Sequence, residues 1–443
     1  MQKNHLKTRI LFFHLLSILL FSISFNLTNS ELNYKAVEND FSIILMIGDG
    51  MGYEHVRLAR YVEVGKNLNL SMENLDLNIS VITNNVLNGI TDSAAAGTAI
   101  ATGTKTYNRK IAVGPDGVIL ETILEIAQEM NKATGIVTST TIQHATPACF
   151  MTHVDSRSDY NEITRQIVEE SNVDILLGGG KQYFSTQQLE VMTNNSYSYV
   201  ESKTALASIT NGKILGLFAD GHMTYEQNRN FSLIPSLVEM TEKAIEILQQ
   251  DSDGFFLMVE GGRIDHGSHD NDIIDAILET IAFNLAVKEA LDYVQSHTNS
   301  ILIVTADHET GGLGFISENL DDTMPSNLNT EEENRTIRMT RINQLDVDWT
   351  TGSHTKSYVP FFAYGEVFEN IQEVSLIDNT DIFRVMNDYL LSEEIILNLR
   401  APVSNISTSV IIAIVVISHI TLLIIVATRV NKKTKKAREN PRT

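Results

Sequence analysis

Six short apolar runs punctuate the chain: FSIILMI (41–47), TGIVTS (134–139), VDILLG (173–178), GFFLMVE (254–260), SILIVTA (300–306) and VPFFAY (359–364). They are continuous rather than alternating, and rich in β-branched and aromatic residues, which suits strands of a parallel sheet buried on both faces. Between them, apolar positions recur at helical spacing in ILETILEIAQEMNKA (119–133), PSLVEMTEKAIEILQQ (235–250) and DAILETIAFNLAVKEALDYVQ (275–295). Strand–helix alternation over roughly 320 residues predicts an α/β fold with one central, mostly parallel sheet sandwiched between helices. No sequence repeat is present. Residues 185–215 are polar and rich in Ser, Thr and Asn, and 317–350 are acidic and Asn-rich. Both read as surface excursions from the sheet rather than as separate domains.

The two ends follow a different pattern. Lys3, Lys7 and Arg9 precede the apolar run ILFFHLLSILLFSISF, the layout of a signal peptide over residues 1–30. No small-residue cleavage site follows it, so an uncleaved anchor is the alternative reading. Near the other end, VIIAIVVISHITLLIIVAT (410–428) is long and apolar enough to cross a bilayer, and the basic run after it is a stop-transfer signal. The expected organisation is a signal segment, a catalytic domain over 31–395, a tether over 396–409, one C-terminal transmembrane helix over 410–428 and a basic cytoplasmic tail over 429–443. The body then lies outside the cell on a single-pass membrane anchor.

Charge sharpens this division. The formal net charge of the 443 residues is -22. The tail holds seven cations against Glu439, and three more cations precede the first apolar run. The body between them is therefore more acidic still, near -31. Such a body does not bind nucleic acid non-specifically. Cys149 is the one cysteine, so no intrachain disulfide exists and stability rests on the core. Its apolar surroundings suit a small buried hydrophobe.

Candidate chemistry gathers where the apolar runs end. FSIILMI leads into Gly48-Asp49-Gly50. GFFLMVE ends in Glu260, followed by Asp265, His266 and His269. SILIVTA leads into Asp307-His308, and His354 stands just before VPFFAY. Each piece alone has a plain reading: Asp49 a turn residue, the Asp265/His269 pair a solvated helical contact, Asp307, His308 and His354 loop residues. Ligand sites of open α/β sheets, however, lie beyond the carboxyl ends of the strands. Four such placements around one sheet point to a metal centre. Imidazoles and carboxylates without thiolates suit catalytic zinc. TDSAAAGTA (91–99) sets Ser93 where a loop meets a helix of very small residues. That helix can pack close to the sheet, and its N-terminus favours an anion. A bound metal can turn such a hydroxyl into a nucleophile. An N-terminal Ser cap is the structural alternative.

IGDGMG, TDSAAAGTA, HATPA, HVDSR, GLFADGHMTYE, PSLVEMTEKAIEIL, VEGGRIDHGSH, TADHETGG and GSHT, in that order, closely resemble signatures of the alkaline phosphatases. The resemblance runs from about Phe41 to Gly365. It implies hydrolysis of small phosphate monoesters through a phosphoserine on Ser93, at a site of two zinc ions (Zn2+) and one magnesium ion (Mg2+), in a homodimer. By this resemblance Asp49, Asp307 and His308 hold the zinc that activates Ser93, and Asp265, His269 and His354 hold the second. Asp49 bridges to magnesium, completed by Thr146 and Glu260. Arg157 grips two phosphate oxygens, and Asp92 orients Arg157. His144 and His266 stand where the best-known bacterial type has Asp and Lys and the animal type has His; neither is expected to ligate zinc directly. The disulfides of some relatives and the crown insertion of the animal enzymes are absent.

Two rival readings follow. Phosphodiesterases of the same superfamily usually carry a Thr nucleophile and lack the Thr146/Glu260 magnesium set, and no sulfatase modification motif is found. A membrane-tethered binding domain with a relict fold predicts a missing ligand, whereas every expected position is filled.

Overall fold

The computed structural model describes residues 40–320, 323–368, 371 and 374–392. The expected signal segment, tether, transmembrane helix and basic tail lie outside the described residues. Among those described, no helix is long and apolar enough to cross a membrane.

Among the described residues twelve strands form: β1 (Ser42–Ile47), β2 (Leu77–Ile82), β3 (Ala133–Thr141), β4 (Ile175–Gly179), β5 (Tyr197–Val200), β6 (Lys213–Leu217), β7 (Phe255–Glu260), β8 (Ser300–Thr305), β9 (Leu313–Glu318), β10 (Leu345–Trp349), β11 (Val359–Tyr364) and β12 (Leu376–Asp378). Ten of them make one sheet in the order β12-β2-β11-β8-β1-β7-β3-β4-β6-β5. All pairings are parallel except those of β11, which runs antiparallel to both β8 and β2. The continuous apolar runs sit at the centre. Every residue of β1, β7 and β8 is buried, because helices cover both faces. The exception among the six runs is VPFFAY: it is a buried strand as expected, but an antiparallel one.

The structure redraws both excursions. Residues 185–215 contain β5 and the start of β6, the last two strands at one side of the main sheet. β5 escaped the pattern because it is a four-residue edge strand buried only at its two ends. Residues 317–350 do leave the main sheet but are folded. The end of β9 pairs with β10 as an antiparallel ribbon, and a helix spans Glu331–Ile342. The buried Arg341 fixes this helix by donating to the carbonyls of Tyr61 (2.8 Å) and Val62 (2.9 Å), at the C-terminal end of the Tyr53–Glu63 helix. A guanidinium there satisfies carbonyls the helix leaves open. The helix expected over 119–133 begins only at Ile123, where Thr122 and Glu125 form a capping box.

One buried charge makes stability depend on pH. Glu279, in the long Ile273–Ser296 helix, is 5% exposed and accepts the Glu226 N–H at 2.8 Å. Burial first, and the Glu226 carboxylate second, push its carboxyl up to about 8. The folded value lies above the unfolded one. Its contribution to stability is therefore complete at acid pH and is lost as pH rises from the ordinary glutamate range through about 8. Glu279→Gln, which keeps the acceptor, should remove that decline. The stability gain of the variant should then grow by up to about 1.4 kcal/mol per pH unit within this window. Denaturant melts at several pH values measure it, and a pH-independent difference would mean that Glu279 is ionised throughout.

Candidate active site

The four central strands, β8, β1, β7 and β3, deliver their following loops to one edge of the sheet. β1 leads to Asp49, β7 ends in Glu260 and leads to the Arg263–His269 helix, β8 leads to Asp307 and His308, and β3 leads to His144 and Thr146. Because β11 is antiparallel, its beginning lies at that same edge, which brings His354 in. Crowding is severe. Gly50 has φ +75°, and a Cβ there would meet the Asp265 Cα at 2.8 Å, so only glycine fits between the ends of β1 and β7.

Ser93 opens the Ser93–Thr102 helix, all of whose residues are buried. A Cβ on Gly97 would lie 3.1 Å from the Cys149 Sγ, so small side chains let this helix press against the Ala145–Ala148 turn. Asp92, not Ser93, is the cap: it accepts the Ala95 N–H at 3.0 Å and receives Arg157 Nη1 at 3.2 Å. Ser93 Oγ is thereby left for other work, and it lies 3.2 Å from His308 Nε2. Cys149 is fully buried, and burial pushes its thiol up to about 12, in keeping with a small hydrophobe.

Hydrogen bonds assign the imidazole protons. His269 Nδ1 meets the Gly352 carbonyl at 2.9 Å and His354 Nδ1 meets the Thr91 carbonyl at 2.8 Å. Both Nδ1 atoms are therefore protonated, and both Nε2 atoms carry lone pairs. Those lone pairs face each other at 3.1 Å, with Asp265 Oδ2 3.4 Å from His269 Nε2. Only a cation or a shared proton makes such an approach favourable. Thr310 works similarly. Its hydroxyl proton goes to Asp265 Oδ1 at 2.5 Å, so its oxygen accepts from His308 Nδ1 at 3.2 Å. His308 Nε2 is then a free lone pair, 3.2 Å from Asp307 Oδ2 and 3.5 Å from Asp49 Oδ1.

The carboxylates make the same demand. Asp49 Oδ1 and Asp307 Oδ2 are buried without a hydrogen-bond partner. Burial first, then neighbouring carboxylates, raise Asp49 well above its ordinary value and push Asp307 up to about 7. Glu260 differs. Burial alone would raise it, but His144, Thr138 and Thr140 outweigh burial and leave it below the usual range. Three groups of potential ligand atoms result: Asp49, Asp307 and His308; Asp265, His308 and His354; and Asp49, His144 and Glu260. Thr146 Oγ1 reaches Asp49 Oδ2 at 3.3 Å beside the third. These residues fit bound cations: unpaired buried oxygens and converging lone pairs are costly without them.

The sequence pattern of the alkaline phosphatase family matches residues 41–320. Alkaline phosphatase 3 of Bacillus subtilis (strain 168) is 34% identical over 404 residues, spanning 77% of this chain and 87% of its own. This chain belongs to the alkaline phosphatase family. Solved structures agree. A cold-active alkaline phosphatase from a psychrophilic Shewanella species superposes with a TM-score of 0.68 at 30% identity, over 78% of this chain and 99% of that one. A histidine variant of the TAB5 alkaline phosphatase superposes at 0.66 with 29% identity, over 79% and 97%, and is described with Mg bound. The protein is thus a phosphatase of a metal-dependent family, acting on phosphate monoesters.

Every site residue expected from the sequence of this phosphatase comes to the one edge. His144 and His266 also do, their rings 5.6 Å apart. The grouping is tighter than expected, since His308 serves two clusters. Thr310, Thr138, Thr140, His222, Tyr225 and Arg263 carry no role in the reading of the sequence. Thr310, His222, Tyr225 and Arg263 stand inside quoted motifs, but hydroxyls, a tyrosine, a lone His and an Arg carry no ligand spacing of their own. Thr310→Val should weaken metal binding roughly 10- to 100-fold with the fold intact, the usual effect of removing a group that orients a ligand. Chelator competition with circular dichroism as control measures this, and unchanged affinity would mean that His308 does not depend on the hydroxyl.

Proposed function

We propose that this phosphatase hydrolyses phosphate monoesters through a phosphoserine on Ser93, at a site for two zinc ions and one magnesium ion. The observation that carries this reading is the placement of Ser93. Its hydroxyl, at a helix N-terminus and not used as the cap, lies 3.2 Å from His308, the residue that two of the ligand clusters share.

Asp49, Asp307 and His308 would hold one zinc, and Asp265, His269 and His354 the other; neutral imidazoles backed by carbonyls, with carboxylates and no thiolate, are zinc donors. Asp49, Glu260 and Thr146 would hold magnesium. His144 spends Nε2 on Arg157 (3.1 Å) and directs Nδ1–H at Glu260 (3.4 Å), so it offers no lone pair and leaves that site to oxygen donors. The magnesium of the TAB5 relative supports this assignment. Ions held there would supply positive charge beside the entering and leaving oxygens and would acidify the Ser93 hydroxyl and a water.

Arg157, held by Asp92 and His144, presents its planar fork to two phosphate oxygens. Ser93 Oγ gives up its proton and bonds to phosphorus as the bond to the alcohol oxygen breaks in line; the alcohol leaves with a proton. Water then cleaves the phosphoserine, returning a proton to Ser93 and releasing inorganic phosphate. Asp49, Asp265, Asp307 and Glu260 against Arg157 leave the protein's own side of the site rich in carboxylate, and three divalent ions held there would reverse that sign, so an acidic body could still attract a dianion. With the contacts concentrated on the phosphoryl group, many alcohols are accepted as leaving groups. The apolar 410–428 segment and the basic tail support anchorage of the body outside the cell, and the homodimer implied by the family resemblance belongs to the same reading.

The test is hydrolysis of p-nitrophenyl phosphate and of its bis-ester at alkaline pH. Monoester turnover should dominate, stop with chelator, return with zinc and magnesium, and fall at least about 10³-fold in Ser93→Ala. Inorganic phosphate should inhibit competitively, and acid quenching should trap labelled phosphate on Ser93. A bis-ester preference would assign a phosphodiesterase, and no turnover by the metal-loaded protein would assign a relict fold.

A further inference from the structure

Behind Glu260 stand three imidazoles that ligate nothing in the scheme above: His144, His222 and His266. Their ring centroids lie 5.8 Å (His144–His222), 5.6 Å (His144–His266) and 4.5 Å (His222–His266) apart, each pair edge to face. Each ring is addressed by a neighbour that can only donate. Arg157 donates to His144 Nε2, as above. The Thr141 backbone N–H donates to His222 Nδ1 at 3.2 Å, and Arg263 Nη1 donates to His266 Nδ1 at 2.7 Å. A ring nitrogen that accepts has no proton, so His222 and His266, as neutral rings, carry theirs on Nε2.

The contact to His266 is the only one of the three made by a side chain outside the expected site. Arg263 is set up for it. Its guanidinium carbon lies 3.6 Å from the centroid of the Tyr225 ring, and its backbone N–H donates to Ser139 Oγ at 3.2 Å. The base of the Arg263–His269 helix and the loop after β6 thus clamp one guanidinium between an aromatic face and an imidazole. Its Nε is buried without a hydrogen-bond partner.

We propose that Arg263 is a positioning residue for the phosphatase reaction: it locks His266 as the Nε2–H tautomer, so that the ring offers a hydrogen-bond donor to the phosphate side of the site. This rests on the phosphomonoesterase reading above. Nδ1 faces Arg263, so Nε2 is the nitrogen left to serve the site, and the ring stands 5.6 Å from that of His144, whose own Nε2 receives Arg157. A donor there assists a bound phosphate oxygen or its water. The other tautomer turns a lone pair toward a dianion, which is repulsive. Tyr225 acts one step back, as the platform that keeps Arg263 extended.

Nitrogen-15 spectra of imidazole in the metal-loaded protein read the tautomer without turnover, and phosphate inhibition reads its consequence. In the wild type both His222 and His266 should show Nε2–H. Arg263→Ala should move His266 to a tautomer mixture and leave His222, which is set by the Thr141 backbone, unchanged. The inhibition constant for inorganic phosphate should rise about tenfold, the size of one hydrogen bond to a charged group, with a smaller change in kcat. Arg263→Lys, which restores a donor, should recover most of both effects, and Tyr225→Phe, which keeps the ring, should match the wild type. Retention of the Nε2–H tautomer in Arg263→Ala, or unchanged phosphate affinity, overturns the proposal. So does a change at both His222 and His266, which would make Arg263 a support of the local fold. Wild-type hydrolysis of p-nitrophenyl phosphate separately tests the underlying reading.

Discussion

Four carboxylates, Asp49, Asp265, Asp307 and Glu260, are buried at one edge of the sheet, and the rest of the site is organised around their mutual repulsion. Water cannot relieve it, because the side chains are closed in by the loops that carry them. Protein groups relieve only part. Thr138, Thr140 and His144 satisfy Glu260, and backbone N–H groups of Gly50 and His308 satisfy one oxygen of Asp307. What is left over, an oxygen each on Asp49 and Asp307 and the facing lone pairs of His269 and His354, is the shape of a cation site seen from the protein side. Metal affinity and buried charge are here the same fact, since each unpaired group costs folding energy that a bound ion returns.

The hydrogen bonds around this core follow a rule. Groups that should present a lone pair have their other nitrogen engaged by an acceptor: Gly352 behind His269, Thr91 behind His354, Thr310 behind His308. Groups that should present a proton have theirs engaged by a donor: Arg263 at His266 and the Thr141 N–H at His222. The tautomers of five imidazoles are thus fixed by their neighbours, three of them distant in sequence (Gly352, Thr91 and Thr141) and two of them local (Thr310 and Arg263). Ser93 is freed by the same logic, because Asp92 takes over both the capping of its helix and the support of Arg157.

Much of this was legible before any fold was known. The continuous apolar runs are the central strands, and the acidic and imidazole residues after them do meet. The edge strands β5 and β12 were not legible, because short strands at the margin of a sheet carry little apolar pattern. β2 alternates instead of running continuously, which hid it for a different reason. The antiparallel sense of β11 is likewise invisible in VPFFAY, since direction depends on the connection and not on the residues within the strand.

The sequence by itself determined which residue types are available and where along the chain they fall: a serine at the head of a small-residue helix, and carboxylates and histidines just past buried strands. Periodicity and motif spacing are local properties, and they survive without a structure. Only the tertiary structure decided proton positions, orphaned oxygens and the partners of Thr310, His222 and Arg263. Those depend on contacts between segments as far apart as Thr141 and His222 or Thr91 and His354, which no local pattern in the chain encodes.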